Sequence, residues 1–390
     1  MLKSAIPDSA GKINVIARSK QLTDFQWTPL KDVPSHKKKE KYTHPAGVTV
    51  TGMPYSSVEA CDKFIGENVS LETFASAAAN PESVIYTRDQ YAYGNASTYY
   101  GCVCNEHVRY ALDIPMRHST SHWHCIKGMV KVAEHGEYSA YDLKLCDILH
   151  VYKPGVKNHV ALITDILSDA DGNIVEIEVS EAVQPNCKRV SYPVEEYFSK
   201  YDIFDLWRYE FIDSVPAALF EIPDCTPNPG IALNYGTKAN YADGKDVVIS
   251  VFNEGDNEVE IYRGDSLIET LSFSGKCRIM REFECGYYTV KLKNTEEELH
   301  FCVNAPKIEY SIKNDVITID ADSCDRFSSL MSMDFRLPGE GRVSLVSVEP
   351  LTEEERMTGR IVRFIPKDAG NFKLYFRNKY GIWSTGLIKI

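Results

Sequence analysis

Residues 99–112 carry the side chains best suited to nucleophilic chemistry. The segment, YYGCVCNEHVRYAL, leads through a glycine and two cysteines into an apolar-faced helix. Val108, Ala111 and Leu112 have the spacing of one helix face, which predicts a helix that begins at Cys104. A thiol at a helix N-terminus meets the positive end of the helix dipole and unpaired backbone N–H groups. Both favour the thiolate, which is the nucleophilic form.

Two cysteines in this segment are candidates for the nucleophile. Cys104 is favoured, because Val108 and Leu112 follow it by four and eight residues and place it in the first turn of the helix. Cys102 would then lie in the preceding loop. The backbone N–H of the nucleophile can also point at an oxyanion that develops on a substrate. The alternative interpretation is that both cysteines are ordinary small residues at a junction between loop and helix.

A general base and a residue that orients it are expected from the strands that follow. His159 opens the apolar run HVALITDI, which places it at the mouth of a predicted strand. Glu181 ends the next predicted strand, residues 174–180. If these strands pair as a hairpin, His159 and Glu181 lie at the same end of the sheet, where a carboxylate can orient an imidazole. Glu178 and Gln184 are the alternatives to Glu181.

Composition and charge exclude several classes of protein. The 390 residues are 44% hydrophobic and 25% charged, as in folded proteins rather than disordered ones. Lys and Arg number 43 against 55 Asp and Glu, a net charge of −12, which argues against a duplex nucleic acid as partner. No apolar run reaches the ~18 residues of a membrane-spanning helix. No signal-peptide pattern is recognised near the N-terminus, so localisation stays open.

The domain organisation is predicted from changes of pattern along the chain. Residues 1–45 are polar and Lys-rich and are predicted to be an N-terminal arm, with a possible inhibitory role left open. Helical and strand-like runs mix in 46–212, which is predicted to be one α+β domain. Proline density indicates a linker at 213–230. Short alternating strands then recur about every 8–12 residues, which predicts two β-sandwiches, 228–304 and 305–390.

The elements predicted within the α+β domain come from apolar periodicity and from turn residues. Four helices are predicted, at 57–65, 70–79, 104–112 and 193–201. Three strands are predicted, at 147–152, 159–166 and 174–180.

The remaining cysteines and histidines predict no cofactor. The chain has 11 cysteines and no CxxC pair, so most are predicted to be free buried thiols, which indicates a reducing compartment or an anaerobic source. His118, His122, His124 and Cys125 cluster closely, but their spacing fits no structural zinc pattern, and no metal is predicted. The same loop is predicted to line the cleft, with Trp123 as a platform for substrate, and a plain surface loop is the alternative.

Taken together, these segments resemble the papain-like cell-wall cysteine peptidases, both the NlpC-type endopeptidases and the CHAP amidases. The resemblance covers about residues 90–185 and rests on YGCVC before the helix, then DILHV, HVALI and VSE. By this resemblance Cys104 is the nucleophile, His159 the base and Glu181 the orienting residue. Asp147 matches the acidic position of the turn before the strand that precedes the histidine.

The resemblance implies a fold and an activity. The fold is an α+β papain-like domain, here followed by two all-β Ig-like sandwich domains. The activity is amide hydrolysis through a thioester, in peptidoglycan stem peptides or cross-links, without a cofactor and with Tyr99 or Tyr100 touching substrate. Cys146 stands where these families carry a glycine, and Asn105-Glu106 where the NlpC type carries Ser-Gly. The alternatives are an amidase acting on a small intracellular amide and a non-catalytic binding or adhesion protein.

Overall fold

The computed structural model describes most of the chain in short continuous ranges. The described residues are 2–33, 44–55, 70–87, 101–114, 120–154, 157–217, 229–241, 243–303, 309–320, 329–337, 341–344, 349–365, 370–384 and 388–389. The predicted helix at 57–65 and most of the predicted linker lie outside them. Within this part of the chain, no helix is long and apolar enough to cross a membrane.

Five α-helices are found among the described residues. They are α1 (Ala10–Thr23), α2 (Leu71–Ala79), α3 (Cys104–Ala111), α4 (Val194–Lys200) and α5 (Glu353–Thr358). Helix α2 is capped by Ser70, whose Oγ accepts the Thr73 N–H at 3.0 Å. The helices predicted at 70–79, 104–112 and 193–201 are confirmed.

The strands fall into sheets that follow one another along the chain. The strands of the first part are β1 (Lys3–Ser4), β2 (Gln26–Trp27), β3 (Val50–Thr51), β4 (Met129–Ala133), β5 (Ile148–Lys153), β6 (Lys157–Ser168), β7 (Ile174–Ala182), β8 (Cys187–Pro193) and β9 (Asp205–Tyr209). All but β2 and β3 belong to one seven-stranded sheet, with the order β4-β9-β5-β6-β7-β8 and β1 paired to β6. Every pair in this sheet is antiparallel.

A first pair of sheets follows the linker and encloses one core. Its strands are β10 (Ile231–Leu233), β11 (Ala239–Tyr241), β12 (Val248–Val251), β13 (Asp256–Arg263), β14 (Ser266–Ser274), β15 (Cys277–Met280), β16 (Gly286–Leu292) and β17 (Glu298–Val303). Three of them form the sheet β10-β12-β15, and five form β11-β17-β16-β13-β14. Buried residues of both sheets, such as Ile249 and Ile261, pack in the same cluster, as in a β-sandwich.

A second pair of sheets completes the described chain. Its strands are β18 (Glu309–Lys313), β19 (Val316–Asp320), β20 (Ser329–Leu337), β21 (Gly341–Ser344), β22 (Glu349–Pro350), β23 (Arg360–Phe364), β24 (Phe372–Asn378) and β25 (Gly381–Ser384). The sheet β18-β19-β23 and the sheet around β20 and β24 share a core that includes Ile319 and Leu374.

The predicted fold class is wrong. Strands hold 44% and helices 21% of the described residues, so the chain is mostly β and consists of several sheets, not of a papain-like α+β domain with sandwiches attached. The sequence reading underestimated the sheet, because β4, β8 and β9 are short and partly exposed and lack an apolar run. Four of the seven strands of the large sheet were therefore not predicted.

The part predicted to be an N-terminal arm contains a helix that belongs to the core. Arg18 of α1 donates to the Tyr110 carbonyl at 2.8 Å and pairs with Asp113, both at the end of α3. Leu22 at the end of α1 is fully buried, as is Phe25 just after it. Residues 10–27 are thus integral to the fold, because Leu22 and Phe25 pack in the same cluster as Phe74 of α2.

Helix α2 packs on the first sandwich rather than on the large sheet. Phe74 of α2 shares a cluster with Ile231 and Leu233 of β10. Asn80 Nδ2 donates to the Leu233 carbonyl at 2.9 Å, across the predicted domain boundary. Gly236 makes the close approach possible, because at its φ of +83° an added Cβ would lie 2.2 Å from the Thr73 carbonyl oxygen. The first sandwich and the preceding part of the chain therefore share one core.

Candidate active site

The nucleophile candidate occupies the first turn of α3. Cys104 is the first residue of the helix, as predicted, and Val103 precedes it in extended conformation. Glu106 turns back and accepts the Val103 backbone N–H at 3.1 Å, which fixes the chain on the N-terminal side of the thiol. The N–H groups of a first helical turn have no acceptor within the helix, so they are available to a developing anion. Cys104 is 7% exposed, at the edge of the core.

The candidate base and its partner are brought together by the β6–β7 hairpin. Leu162 of β6 pairs with Ser180 of β7, and this register, continued by one residue, sets Ala161 opposite Glu181. His159 is two residues from Ala161 and so projects from the same face, on the diagonal to Glu181. The His159 Nε2–H donates to Glu181 Oε2 at 2.7 Å. The predicted hairpin and the predicted meeting of these two side chains are both confirmed.

The Cys104 thiol lies near the side of the His159 ring that does not face Glu181. The Cys104 thiol lies close enough to His159 to raise the pKa of the imidazole. Because Nε2 faces Glu181, Nδ1 is the ring nitrogen left for the Cys104 sulfur. The order Cys104, His159, Glu181 is that of a nucleophile, a base and the residue that orients the base.

Electrostatics favour the charged forms of His159 and Glu181. Burial by itself lowers the pKa of His159, but its hydrogen bonds to Cys104 and Glu181, and the charges of both, raise it from 6.5 to about 9. Burial raises the pKa of Glu181, whereas the hydrogen bond and charge of His159 lower it, with help from Lys200 and Lys188, and the net direction is down. At neutral pH the geometry therefore holds an imidazolium between two anion-forming groups.

The imidazole is also held by packing. The ring of His159 meets the ring of Phe204 edge to face, with centroids 6.0 Å apart. Phe204 is fully buried, and Lys157 Nζ lies 4.7 Å from its ring centroid. The side chains of His159 and Glu181 are 13% and 4% exposed, so their interactions are weakly screened by water.

Asp147, matched by the resemblance to an acidic turn position, has a structural role. It is 1% exposed and accepts from Arg208 through both carboxylate oxygens, at 2.7 Å each, as well as from the Lys144 N–H. Cys146, which replaces the glycine of those families, has a φ of +68°. The backbone thus takes a glycine-like, left-handed conformation here although the residue is a cysteine.

The alternative candidates are placed elsewhere. Glu178 pairs with Arg189 at 3.1 Å and accepts from Thr164 at 2.8 Å, so it does not orient His159. Gln184 lies in the turn between β7 and β8. Cys102 is fully buried in the loop before α3, against Cys187.

Of the three predicted substrate contacts, one lies in the described part of the chain. Tyr99 and Tyr100 lie outside the described residues. Trp123 is 1% exposed, and its ring lies 6.3 Å from that of His150 within the core. The prediction that Trp123 is a platform for substrate is therefore wrong, because the loop after α3 folds into a 3-10 turn that directs this ring inward.

The histidine-rich loop forms no metal cluster in the part of the chain that the structure describes. His122 and His124 stack with centroids 6.4 Å apart. The one group of potential ligands found among the described residues is Cys102, His107 and Cys187, all buried.

Sequence reasoning missed two residues that shape the site. Glu106 was noted only as a departure from Ser-Gly, yet a Glu at the third position of a helix is a recognisable capping signal. Phe204 carries no local signal, because its contact with His159 depends on how α4 and β9 return to the sheet.

Comparisons with known proteins leave the family undetermined. No protein-family model matches the chain, and no curated protein matches it. Among solved structures, native alpha-2-macroglobulin from Escherichia coli, spanning domains NIE-MG1, covers 37% of this chain and 88% of its own, with 9% identity and a TM-score of 0.15. The CD2-binding domain of CD58 covers 39% and 94%, with 12% identity and a TM-score of 0.17. Similarity this low carries no argument about fold or function.

Proposed function

We propose that this protein is a thiol hydrolase that cleaves an amide bond through a Cys104 thioester. The observation that carries the proposal is that His159 lies beside Cys104 and is hydrogen-bonded to the buried Glu181 at 2.7 Å. A thiol at a helix N-terminus, an imidazole in contact with it and a carboxylate behind the imidazole are the three parts that nucleophilic acyl transfer requires.

Acylation uses the ionised state of the pair. The Cys104 sulfur attacks the amide carbon, and the resulting oxyanion lies within reach of N–H groups at the start of α3. His159, whose pKa is raised to about 9, carries a proton at neutral pH and gives it to the leaving amine. Expulsion of the amine leaves a thioester and a neutral imidazole.

Deacylation follows because formation of the thioester removes the negative charge of the Cys104 sulfur. The charge of Cys104 is one of the causes that raise the pKa of His159, and it is absent once the sulfur is acylated. The pKa of His159 then falls, so the imidazole can accept a proton from water as the water attacks the thioester. The C–S bond then breaks, which releases the carboxylic acid and returns the Cys104 thiolate. Glu181 keeps the ring oriented in both half-reactions through the same hydrogen bond.

The substrate class rests on the resemblance of the segments around these three residues to cell-wall cysteine peptidases. Peptidoglycan stem peptides and cross-links are therefore the substrates that we propose. The two sandwiches would then hold the enzyme on the wall polymer or separate it from another part of the envelope.

The test is digestion of purified muropeptides, with products identified by mass spectrometry. We expect new amine and carboxyl termini in equal amounts with the wild type and none with Cys104→Ser. Cys285→Ser is the matched control, because Cys285 is an exposed cysteine far along the chain in the first sandwich. Turnover that survives in Cys104→Ser would overturn the mechanism. Acylation of Cys104 by another amide, without turnover of muropeptides, would retain the mechanism and overturn the substrate.

A further inference from the structure

A second cluster of reactive side chains lies behind the candidate active site. The sulfurs of Cys102 and Cys187 are 3.0 Å apart, and both residues are 1% exposed or less. His107 of α3, fully buried, is the third member of the cluster. None of these residues takes part in the proposed hydrolysis.

Backbone pairing holds the two cysteines in register. The Cys102 N–H donates to the Pro54 carbonyl at 3.2 Å, and the Cys187 N–H donates to the Met53 carbonyl at 2.8 Å. Gly52 lets the chain approach closely, since an added Cβ would lie 1.9 Å from the Cys187 carbonyl oxygen. Hydrogen bonds to residues 53 and 54 therefore fix both backbones, and the two thiols face each other.

The close approach of the sulfurs indicates either a covalent bond or a shared metal, and the number of ligands favours the covalent bond. Unbonded carbon atoms attract best at about 3.5–4.0 Å, and sulfur is larger, so two sulfurs 3.0 Å apart are in unusually close contact. Two thiolates on tetrahedral zinc would stand about 3.8 Å apart, and a structural zinc site needs four protein ligands, whereas the described residues offer three here. A disulfide of about 2.05 Å needs the sulfurs to approach by about 1 Å. We propose that Cys102 and Cys187 form a disulfide that ties the loop before Cys104 to strand β8.

The surroundings prepare one thiol to react. The hydrogen bond to Cys187, together with burial, raises the pKa of Cys102, which keeps its proton. Burial raises the pKa of Cys187, but the hydrogen bond from Cys102 and the neighbouring His107 lower it overall. His107 is in turn held by Ser180, whose Oγ lies 2.9 Å from its Nε2. Cys187 is therefore the attacking thiolate.

The oxidation needs a disulfide of the glutathione type as co-reactant. The Cys187 thiolate attacks one sulfur of that disulfide, its S–S bond breaks, and one glutathione thiolate leaves. Cys102 loses its proton and attacks the Cys187 sulfur of the mixed disulfide, which expels the second glutathione thiolate. Two protein thiols are oxidised and one glutathione disulfide is reduced. Because the site is buried, glutathione reaches Cys187 only when this part of the folded chain opens locally, so the exchange is slow.

The disulfide would tie together the two segments that flank the candidate active site. Cys102 is two residues before Cys104, and Cys187 precedes Lys188, which pairs with Glu181 across β7 and β8. The covalent loop from 102 to 187 contains the whole triad. Closing so long a loop restricts the unfolded chain and stabilises the folded one.

Peptide mapping of the wild type tests the bond directly. The protein is purified without reductant, equilibrated with oxidised glutathione, blocked with N-ethylmaleimide under denaturing conditions and digested with trypsin. We expect peptide 89–109 linked to peptide 158–188, with fragmentation assigning the bond to Cys102 rather than Cys104. Maleimide on both Cys102 and Cys187, or a linkage to another cysteine, would overturn the proposal. So would stoichiometric zinc that a chelator removes with exposure of both thiols.

Thermal unfolding gives a second readout. Reduction of the wild type should lower Tm by about 5–10 °C, while Cys187→Ser should show no reductant dependence. Cys146→Ser is the control, because Cys146 is equally buried and its thiol donates to the Lys12 carbonyl, and it should keep the reductant-dependent shift. A wild-type Tm that does not change on addition of reductant would contradict the disulfide. These measurements do not depend on hydrolysis, so the disulfide and the proposed function can fail separately.

Discussion

Replacing Glu181 by Gln should change the protonation of His159 by a predictable amount. Glu181 accepts from His159 Nε2 at 2.7 Å, and the variant keeps the shape of the side chain while it removes the charge. Hydrogen bonds to charged groups contribute about 1.5–3 kcal/mol, and one pKa unit corresponds to about 1.4 kcal/mol. The pKa of His159 should therefore fall by about 1–2 units in Glu181→Gln, from the wild-type value of about 9.

The assay is a pH titration of protein with isotope-labelled histidine, followed by NMR, with His159 assigned from the spectrum of His159→Asn. The matched control is Glu178→Gln, on the same strand, whose carboxylate is bound by Arg189 and Thr164 instead. The control should titrate like the wild type. If His159 titrates alike in Glu181→Gln and the wild type, or if Glu178→Gln shifts it equally, the assigned network is wrong.

The same shift predicts how stability depends on pH. The pKa of His159 is raised from 6.5 to about 9 on folding, so its stabilisation is complete below pH 6.5 and is lost as pH rises through 9. Integrated over that window, the wild type should lose roughly 3 kcal/mol of unfolding free energy through this group. Glu181→Gln should lose less, and over a narrower window, in urea unfolding measured at each pH. A wild-type stability that stays constant from pH 6.5 to 9 would contradict this.

Three further predictions concern the scaffold, each read from urea unfolding. Asp147→Asn should destabilise by about 2–3 kcal/mol, because it breaks a two-point pair with Arg208 at a buried position, and an unchanged midpoint would refute this role. Cys146→Val should be less stable than Cys146→Gly by about 2 kcal/mol, because a β-branched residue resists the φ of +68°, and equal stabilities would contradict it. Gly236→Ala should destabilise by about 2 kcal/mol or more through its clash with the Thr73 carbonyl, and a neutral effect would show that the contact relaxes.

The parts of the site that depend on local pattern were predictable from sequence. The start of α3 at Cys104 follows from the spacing of Val108 and Leu112. The meeting of His159 and Glu181 needs only one hairpin, which an apolar run and a turn indicate. Such features require no knowledge of distant contacts.

What depends on tertiary structure was not predictable. The residues of β8, CKRVSYP, do not alternate clearly between apolar and polar, so they do not predict a strand. They form one because they pair with β7. Because α1 is polar in composition, its sequence does not indicate that Arg18 contacts α3 or that Leu22 is buried in the core. The sequence predicts Trp123 as a platform for substrate on a loop that lines the cleft, but a 3-10 turn buries it. Cys102 and Cys187 are far apart in sequence and meet only through residues 53–54.

The central claim is that His159 activates Cys104 as a nucleophile, and site-resolved alkylation tests it most directly. Wild type and His159→Asn are treated with iodoacetamide at pH 6, where an ordinary thiol is less than about 1% ionised, and each cysteine is followed by mass spectrometry. Cys104 is 7% exposed and Cys285 is exposed, so accessibility alone favours Cys285. We predict that Cys104 reacts at least about tenfold faster than Cys285 in the wild type and loses this advantage in His159→Asn. Labelling of Cys104 no faster than Cys285, or equally fast in both proteins, would contradict the proposed mechanism.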